Sequence, residues 1–553
     1  MKKNQFRGII CGIFLISLLI CIFPTAADGA GYTLYINSAS DPVSAALSSL
    51  YATGGKNDTG TIGSGSVYAM TSSGVVQIGT GTSSGPAGSG VDDDGSAYRD
   101  DPIKYTTVKV GLNYGSKALT EARLENQVGS GYRFGYFDEA RNFIDLGYTA
   151  VTKLTMVADR TMTLSSGHTI GCYHIMLPGS YGNFDQAKQA ADAVGGFPAY
   201  YNGTYYALYG NYHSENDAYA AMSSSGVNGS VHSGSSRCMV VTQTGTGNIL
   251  FEFDYGSTYS LAVMPVSTSG DAVTWFAKYK YNGAFQYTRL SDDEKITVVN
   301  FVDIDDYVKG VVPYEMNGKW PLEALKAQAL TARTYAASHF NGYRSYGFDV
   351  TNDTYSQVYQ GLNSANSTTN AACDATAGQY IWYHGHLCET FFFSSDGGAT
   401  ESSKNVWGTE LPYLQGVFDP YEDEVDTGHN NWTYTLTPTQ VQNKINSKFK
   451  KNFGPITSIT PEYTDMGNVL SLTFQDSYGN SHTVSRTNCY YALDVDSLRF
   501  TVTQDVSGNF VIQGSGWGHN CGMSQWGAYV MAKNHGMDAS QIIKFYYTGA
   551  YVR

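Results

Sequence analysis

Hydrophobic and polar positions alternate in short runs through the first half of the chain, and helical spacing becomes prominent only beyond residue 304. The runs Tyr32–Ile36, Val67–Met70 and Val75–Ile78 predict strands, because side chains two apart share one face of a pleated strand. Ser83–Asp94 (SSGPAGSGVDDD) lacks the apolar content of a core and reads as a flexible linker. Thr107–Leu112 alternates again, and strand-like runs continue from Ile103 to Ser165. From Met239 strands dominate once more, with Lys295–Phe301 the clearest alternation.

Residues 172–232 carry an internal repeat. Tyr173–Leu177 predicts a strand, Gly179-Ser180-Tyr181 a turn and Asp185–Ala193 a helix that Gly195-Gly196 ends. The pattern returns as strand Tyr205–Tyr209, turn Gly210-Asn211-Tyr212 and helix Glu215–Met222. This rhythm resembles the SPOR module, a small α/β domain whose implied ligand is glycan stripped of its peptides. Any two-repeat α/β fold would show the same rhythm.

After Ile304 the pattern turns helical. Asp305-Asp306 can cap a short helix running to Val312, which Pro313 disturbs, leaving Tyr314-Glu315-Met316 at an irregular corner. Asn317-Gly318 is a turn, and Pro321 stands where a helix from Leu322 to about His339 would begin. Its Leu and Ala residues leave almost no polar face, which predicts burial all round. Lys326, Gln328 and Arg333 are set into it, and a buried charge needs a partner. Glu323 can satisfy Lys326 locally. Arg333 has no such local answer, and a carboxylate from Glu315 or elsewhere would suit it.

Composition then narrows the classes. Charged residues are 15% of the chain against a typical ~25%, while Gly (61) and Tyr (44) abound. That mix suits an extracellular surface meeting sugars, and equally a lineage habit of exported proteins. The net charge of −14 and the missing basic stripe exclude nucleic acid as a partner, and argue against adsorption to an anionic lipid surface.

The N-terminus reads as an export signal: Lys2, Lys3 and Arg7, an apolar run from Gly8 to Phe23, Pro24, then Thr25-Ala26-Ala27. Residues 1–27 are therefore assigned as a signal peptide and the protein as secreted or wall-associated. An uncleaved segment would instead anchor it to the outer face of the membrane. Beyond Cys11 and Cys21 there are six cysteines, Cys172, Cys238, Cys373, Cys388, Cys489 and Cys521, with no metal spacing and no disulfide framework; a Cys373–Cys388 pair is conceivable. His384, His386, Cys388 and Glu389 read as a hairpin turn and strand rather than a metal site. No metal and no cofactor are expected.

Gly310–Tyr335 (GVVPYEMNGKWPLEALKAQALTARTY) closely resembles the central motif of the SpoIID/LytB family. Further matches come in the same order: Phe391–Gly398 (FFFSSDGG) with Glu401 and Val406-Trp407, Leu498-Arg499-Phe500, and Gly516–Ala528 (GWGHNCGMSQWGA). The resemblance runs from about Asp271 to the last residue. It implies peptidoglycan lytic transglycosylase activity or, in the LytB branch, enhancement of a wall amidase, with denuded glycan strands and a cell-wall amidase as the partners. The family's single catalytic Glu falls on Glu315, and a lone acid/base fits a reaction in which the sugar's own six-hydroxyl attacks. Burial among Val311, Val312, Met316 and Trp320 would raise its pKa, whereas an ion pair with Arg333 would lower it. Arg333 could serve Asp396 or a substrate carboxyl instead.

The substrate-binding set is Lys326, Gln328, Arg333, Tyr335, Ser394, Ser395, Asp396, His519, Ser524, Gln525 and Trp526. His519, Ser524 and Gln525 would reach hydroxyls and acetamides, with Trp517 or Trp526 stacking on a ring. The glycines 514, 516, 518 and 522 allow tight turns, and Ser524-Gln525-Trp526 begin a helix that Gly536 ends. Some relatives carry a zinc-binding Cys/His stretch; Thr351–Gln357 (TNDTYSQ) stands there without either residue, so that site is expected to be absent. The expected architecture is α+β and multidomain: a β-rich region at 31–170, a SPOR-like module at 171–235, and a mixed α/β SpoIID-type domain with much β at 271–553.

Overall fold

The computed structural model describes residues 100–267 and 272–553, and the backbone of six short strands before residue 100. Most of the export signal and of the Ser83–Asp94 linker lies outside the described residues. The chain divides into two compact units, Met1–Gly88 and Ser89–Arg553. In the first, Leu19–Pro24, Tyr32–Asn37, Val67–Thr71 and Gly74–Gly79 form a four-stranded sheet in that order.

The second unit is mixed α and β with much strand, built on two large sheets. One has seven strands in the order Phe143–Thr149, Gly131–Phe137, Leu261–Val266, Ala284–Thr288, Thr297–Asp303, Thr107–Asn113 and Val350–Thr351. The other has ten: Ser230–His232, Tyr173–Met176, Thr204–Tyr212, Phe197–Tyr201, Ile249–Asp254, Met239–Gln243, Lys153–Ala158, Glu121–Asn126, Thr274–Phe276 and Tyr279–Tyr281. Strands from 107–158 thus pair with strands from 274–303 in both sheets, and with 350–351 in the seven-stranded one. Alternation places Phe134 of one sheet against Phe251 of the other, rings stacked 4.9 Å apart, and this contact lies in the main core.

The repeat at 172–232 is a βαββαβ unit: Tyr173–Met176, helix Phe184–Asp192, Phe197–Tyr201, Thr204–Tyr212, helix Glu215–Ser225 and Ser230–His232. Its four strands are antiparallel in the order fourth, first, third, second. Phe197–Tyr201 and Ser230–His232 go beyond the two strands that the repeat marks. The first of them pairs in parallel with Ile249–Asp254 and makes the unit continuous with the larger sheet.

The helical segment differs from expectation at its start. Asp303, not Asp305 or Asp306, caps the first helix, Ile304–Lys309, its Oδ1 accepting from the Asp305 N–H at 2.8 Å. Pro313 breaks no helix; it occupies the first turn of a short one, Val312–Glu315, where a missing N–H costs nothing. The long helix Leu322–Ser338 buries thirteen of its seventeen residues. It is wrapped by Ile304–Lys309, Ser367–Ala375, Gln525–Asn534 and Ala539–Tyr546. Its alanines permit close approach, and Leu325, fully buried, contributes about 1.5–3 kcal/mol.

Ile381–Tyr383 and His386–Leu387 form the expected hairpin, with His384 (φ 49°) and Gly385 (φ 81°) as its two-residue turn. Cys373 and Cys388 are both free thiols, so the conceivable pair does not form; burial alone accounts for both. No helix among the described residues is long and apolar enough to cross a membrane.

Candidate functional site

Two segments far apart in sequence build one wall of a cleft. Phe392-Phe393 pairs in parallel with Met523-Ser524, and Ser395 bridges Trp517 in antiparallel fashion. A Cβ at Gly518 (φ 120°) would lie 2.8 Å from that of Phe393, and one at Gly522 (φ 86°) would strike the Phe391 carbonyl; neither place admits a side chain. Helix Gln525–Asn534 then starts from Ser524, whose hydroxyl accepts the Gly527 N–H at 3.2 Å.

The cleft so formed has a volume of about 400 Å³. Glu315, at the end of the short helix Val312–Glu315, is the only carboxylate among its lining residues. Aromatic walls come from Tyr335, Tyr355, Phe391–Phe393, Trp407, Tyr490 and Trp517; Ser356, Ser394, His519 and Gln525 add polar groups. Trp407 and Trp517 are 41% and 48% exposed.

Glu315 Oε1 accepts the Val358 N–H at 2.9 Å. Burial pushes the Glu315 pKa up, against the hydrogen bonds from Val358 and the Gln525 side chain, which favour the anion. Gln525 in turn donates from Nε2 to Gln328 Oε1 at 3.2 Å, so Gln328 stands one layer behind the cleft. No cation among the described residues acts on Glu315. His519 accepts the Cys521 N–H on Nδ1 at 3.2 Å, and burial lowers its pKa to about 4, which keeps the ring neutral. A larger concavity of about 810 Å³ borders the same loop at Gly514 and Ser515, lined by Trp432, Arg499 and Glu422 among others.

Of the residues expected at the site, Glu315, Tyr335, Ser394, His519 and Gln525 converge on this cleft. The others do not. Lys326 is held by Glu323 at 2.7 Å, the local answer its spacing allows. Arg333 is fully buried, donating from Nε to Asp305 Oδ1 at 2.6 Å and from Nη2 to the Cys373 carbonyl at 3.2 Å. It is therefore bound neither to Glu315 nor to Asp396, because the helix Ile304–Lys309 brings a carboxylate first.

Asp396 sits with Asp419 and Glu422 in a buried carboxylate cluster. Burial, then the Glu422 charge, pushes the Asp396 pKa well up. Ser395 and Ser524 both donate to Glu422, the first at 2.6 Å, so these hydroxyls serve the protein's interior. Trp526 packs against Trp320 at 4.8 Å and is not part of the cleft, whereas Trp517 is. Tyr355, Ser356, Val358 and Tyr490 are lining residues that the sequence does not mark. They reach the cleft through loops and a short helix whose spacing carries no signal.

Residues 292–383 match the family model described as stage II sporulation protein. An uncharacterised protein of Brachyspira hyodysenteriae is 37% identical over 276 residues, 49% of this chain and 71% of that protein. The chain belongs to the SpoIID/LytB family. Two further relatives come from Bacillus subtilis. An amidase enhancer is 31% identical over 44% of this chain and 39% of its own length, and stage II sporulation protein D is 29% identical over 46% and 75%. The family match spans Glu315 and the long helix, and the βαββαβ unit lies outside it.

Proposed function

We propose that this SpoIID/LytB protein is an exported peptidoglycan lytic transglycosylase that cleaves MurNAc–GlcNAc bonds to 1,6-anhydro-MurNAc ends. The observation that carries the reading is Glu315: a lone carboxylate in an aromatic cleft, raised in pKa by burial, with no cationic neighbour among the described residues. Burial favours the protonated form of such an acid, which can give its proton to the glycosidic oxygen as the C1–O bond breaks. The six-hydroxyl of the same muramic sugar then attacks C1, and the Glu315 carboxylate takes its proton. No second carboxylate is required, in contrast to the paired acids of ordinary glycosidases.

Trp407, Trp517 and Tyr355 would stack on sugar rings, with Tyr335, Ser394 and Gln525 meeting hydroxyls and acetamides. The βαββαβ unit at 173–232 would act as a SPOR-like glycan-binding module, which its strand order supports.

A second reading is favoured by the likeness to an amidase enhancer: a non-catalytic wall-binding protein that stimulates a partner amidase. Digestion of purified denuded glycan, with the ends analysed by mass spectrometry, separates the two. Anhydro-muramic ends that vanish in Glu315→Gln support the enzyme. Binding without any new ends, together with faster release of peptides by an added amidase, supports the enhancer.

A further inference from the structure

Outside the cleft, three buried side chains from distant parts of the chain meet in the ten-stranded sheet. His174 lies on its second strand and Glu252 on its fifth, while Asp159 comes just after the seventh. In a flat sheet the second and fifth strands would be about 14 Å apart. Here His174 Nε2 is 3.2 Å from Glu252 Oε2 and 3.7 Å from Asp159 Oδ1, so the sheet curls until its strands face each other across an interior.

Each of the three is held by its other polar atom. His174 Nδ1 is 2.7 Å from the Gly210 carbonyl, which can only accept, so Nδ1 carries a hydrogen and Nε2 is the atom that faces the two carboxylates. Glu252 Oε1 accepts from the Tyr201 hydroxyl at 2.7 Å and the Cys238 thiol at 3.1 Å, leaving Oε2 over. Asp159 Oδ2 accepts the Gly234 N–H at 3.3 Å, leaving Oδ1 over. The three remaining atoms, Asp159 Oδ1, His174 Nε2 and Glu252 Oε2, are buried and make no hydrogen bond. They lie within 4.8 Å of one another.

Two buried carboxylates facing one imidazole carry a surplus of negative charge whether or not the ring is protonated, and a cation among them would neutralise it. We propose that Asp159, His174 and Glu252 hold a divalent cation of the zinc type. Ligand bonds of about 2.0–2.2 Å to a tetrahedral ion place neighbouring ligand atoms about 3.3–3.6 Å apart, within about 0.1 Å of the 3.2 and 3.7 Å separations from His174. The charges also balance, since two carboxylates and a neutral imidazole against a dication leave no net charge in the interior. The Gly210, Tyr201, Cys238 and Gly234 contacts are the outer hydrogen bonds that orient metal ligands. The ion would tie the βαββαβ unit to the strands around 153–158 and 249–254, a structural role independent of the cleft.

The test is metal analysis of the purified full-length protein, followed by Co²⁺ titration of protein stripped with a chelator. About one equivalent of metal, visible Co²⁺ bands of low-symmetry coordination, and a melting temperature that falls with chelator and recovers with Zn²⁺ are the expected results. His174→Ala, and the isosteric Asp159→Asn and Glu252→Gln should His174→Ala fail to fold, are expected to lose the metal and the Zn²⁺ response. A wild-type protein that binds neither Zn²⁺ nor Co²⁺ and melts identically with chelator would overturn the proposal; a second proton on His174 would then occupy the place. Metal retained undiminished by folded Glu252→Gln and Asp159→Asn would overturn it equally.

Discussion

Arg333 donates from Nε to Asp305 Oδ1 at 2.6 Å, and this pair leaves Glu315 without a cation among the described residues. Asp305→Asn should therefore strand a guanidinium that is 0% exposed. Asp305 is itself partly exposed, so the expected cost is about 2–3 kcal/mol, below that of breaking a fully buried pair. Urea denaturation measures it. The pH dependence of glycan cleavage should not move; a shift in its basic limb would mean that Arg333 acts on Glu315 after all.

Glu315→Gln should uncouple activity from stability. Removing the acid is expected to lower cleavage of denuded glycan at least about 100-fold with binding retained. Because burial raises the carboxyl pKa in the folded state, the native protein holds a proton that the unfolded chain releases. Stability from this group is thus full at low pH and is lost as pH rises through the folded pKa. The Gln variant escapes that loss and should melt higher than wild type at neutral pH, the gap closing near pH 4. Thermal melts across pH read this directly, and a Gln variant less stable at pH 7 would refute the sign.

The site is legible in the sequence where a motif spans it and illegible where the fold assembles it. Glu315, His519 and Gln525 stand inside long contiguous matches, so sequence names them. Arg333 visibly needs a carboxylate, but Asp305, 28 residues earlier, reads as a helix cap, because spacing alone does not say where the preceding helix crosses. Asp396, Ser395 and Ser524 look like sugar-binding groups in the chain; the structure turns them inward onto Glu422. Strands between 107 and 158 show in the alternation, whereas their pairing with 274–303 depends on contacts more than a hundred residues apart. The Asp159–His174–Glu252 meeting is the extreme case, since only the curl of a ten-stranded sheet brings the three together.

Trp407 and Trp517 offer partly exposed indoles to the cleft, with Trp407 braced by His519 at 5.1 Å and Trp517 by His429 at 4.9 Å. Truncating either to Ala should weaken binding of denuded glycan about tenfold, or about 1.4 kcal/mol. Trp526→Phe, which alters the Trp320 cluster and not the cleft, should leave that affinity unchanged. Co-sedimentation with purified glycan checks both. Equal losses in all three variants would remove the distinction between wall and core indoles.

Asp396 makes a different prediction from Glu315, although both carboxyls are raised. Its Oδ1 accepts the Gly398 N–H at 2.7 Å, and it lies beside Asp419 in the buried cluster, where a protonated acid can donate to that neighbour. The raised pKa means that wild-type stability is full at low pH and declines as pH rises through it. Asn can accept from Gly398 and donate to Asp419 without ionising. Asp396→Asn should therefore fold, keep glycan cleavage, and lose part of the alkaline decline in melting temperature. Asp396→Ala, which strands the Gly398 amide and the Asp419 carboxylate, should cost about 1–3 kcal/mol or more at every pH. An Asn variant as unstable as the Ala variant would show that the cluster needs the charge of Asp396 rather than its proton.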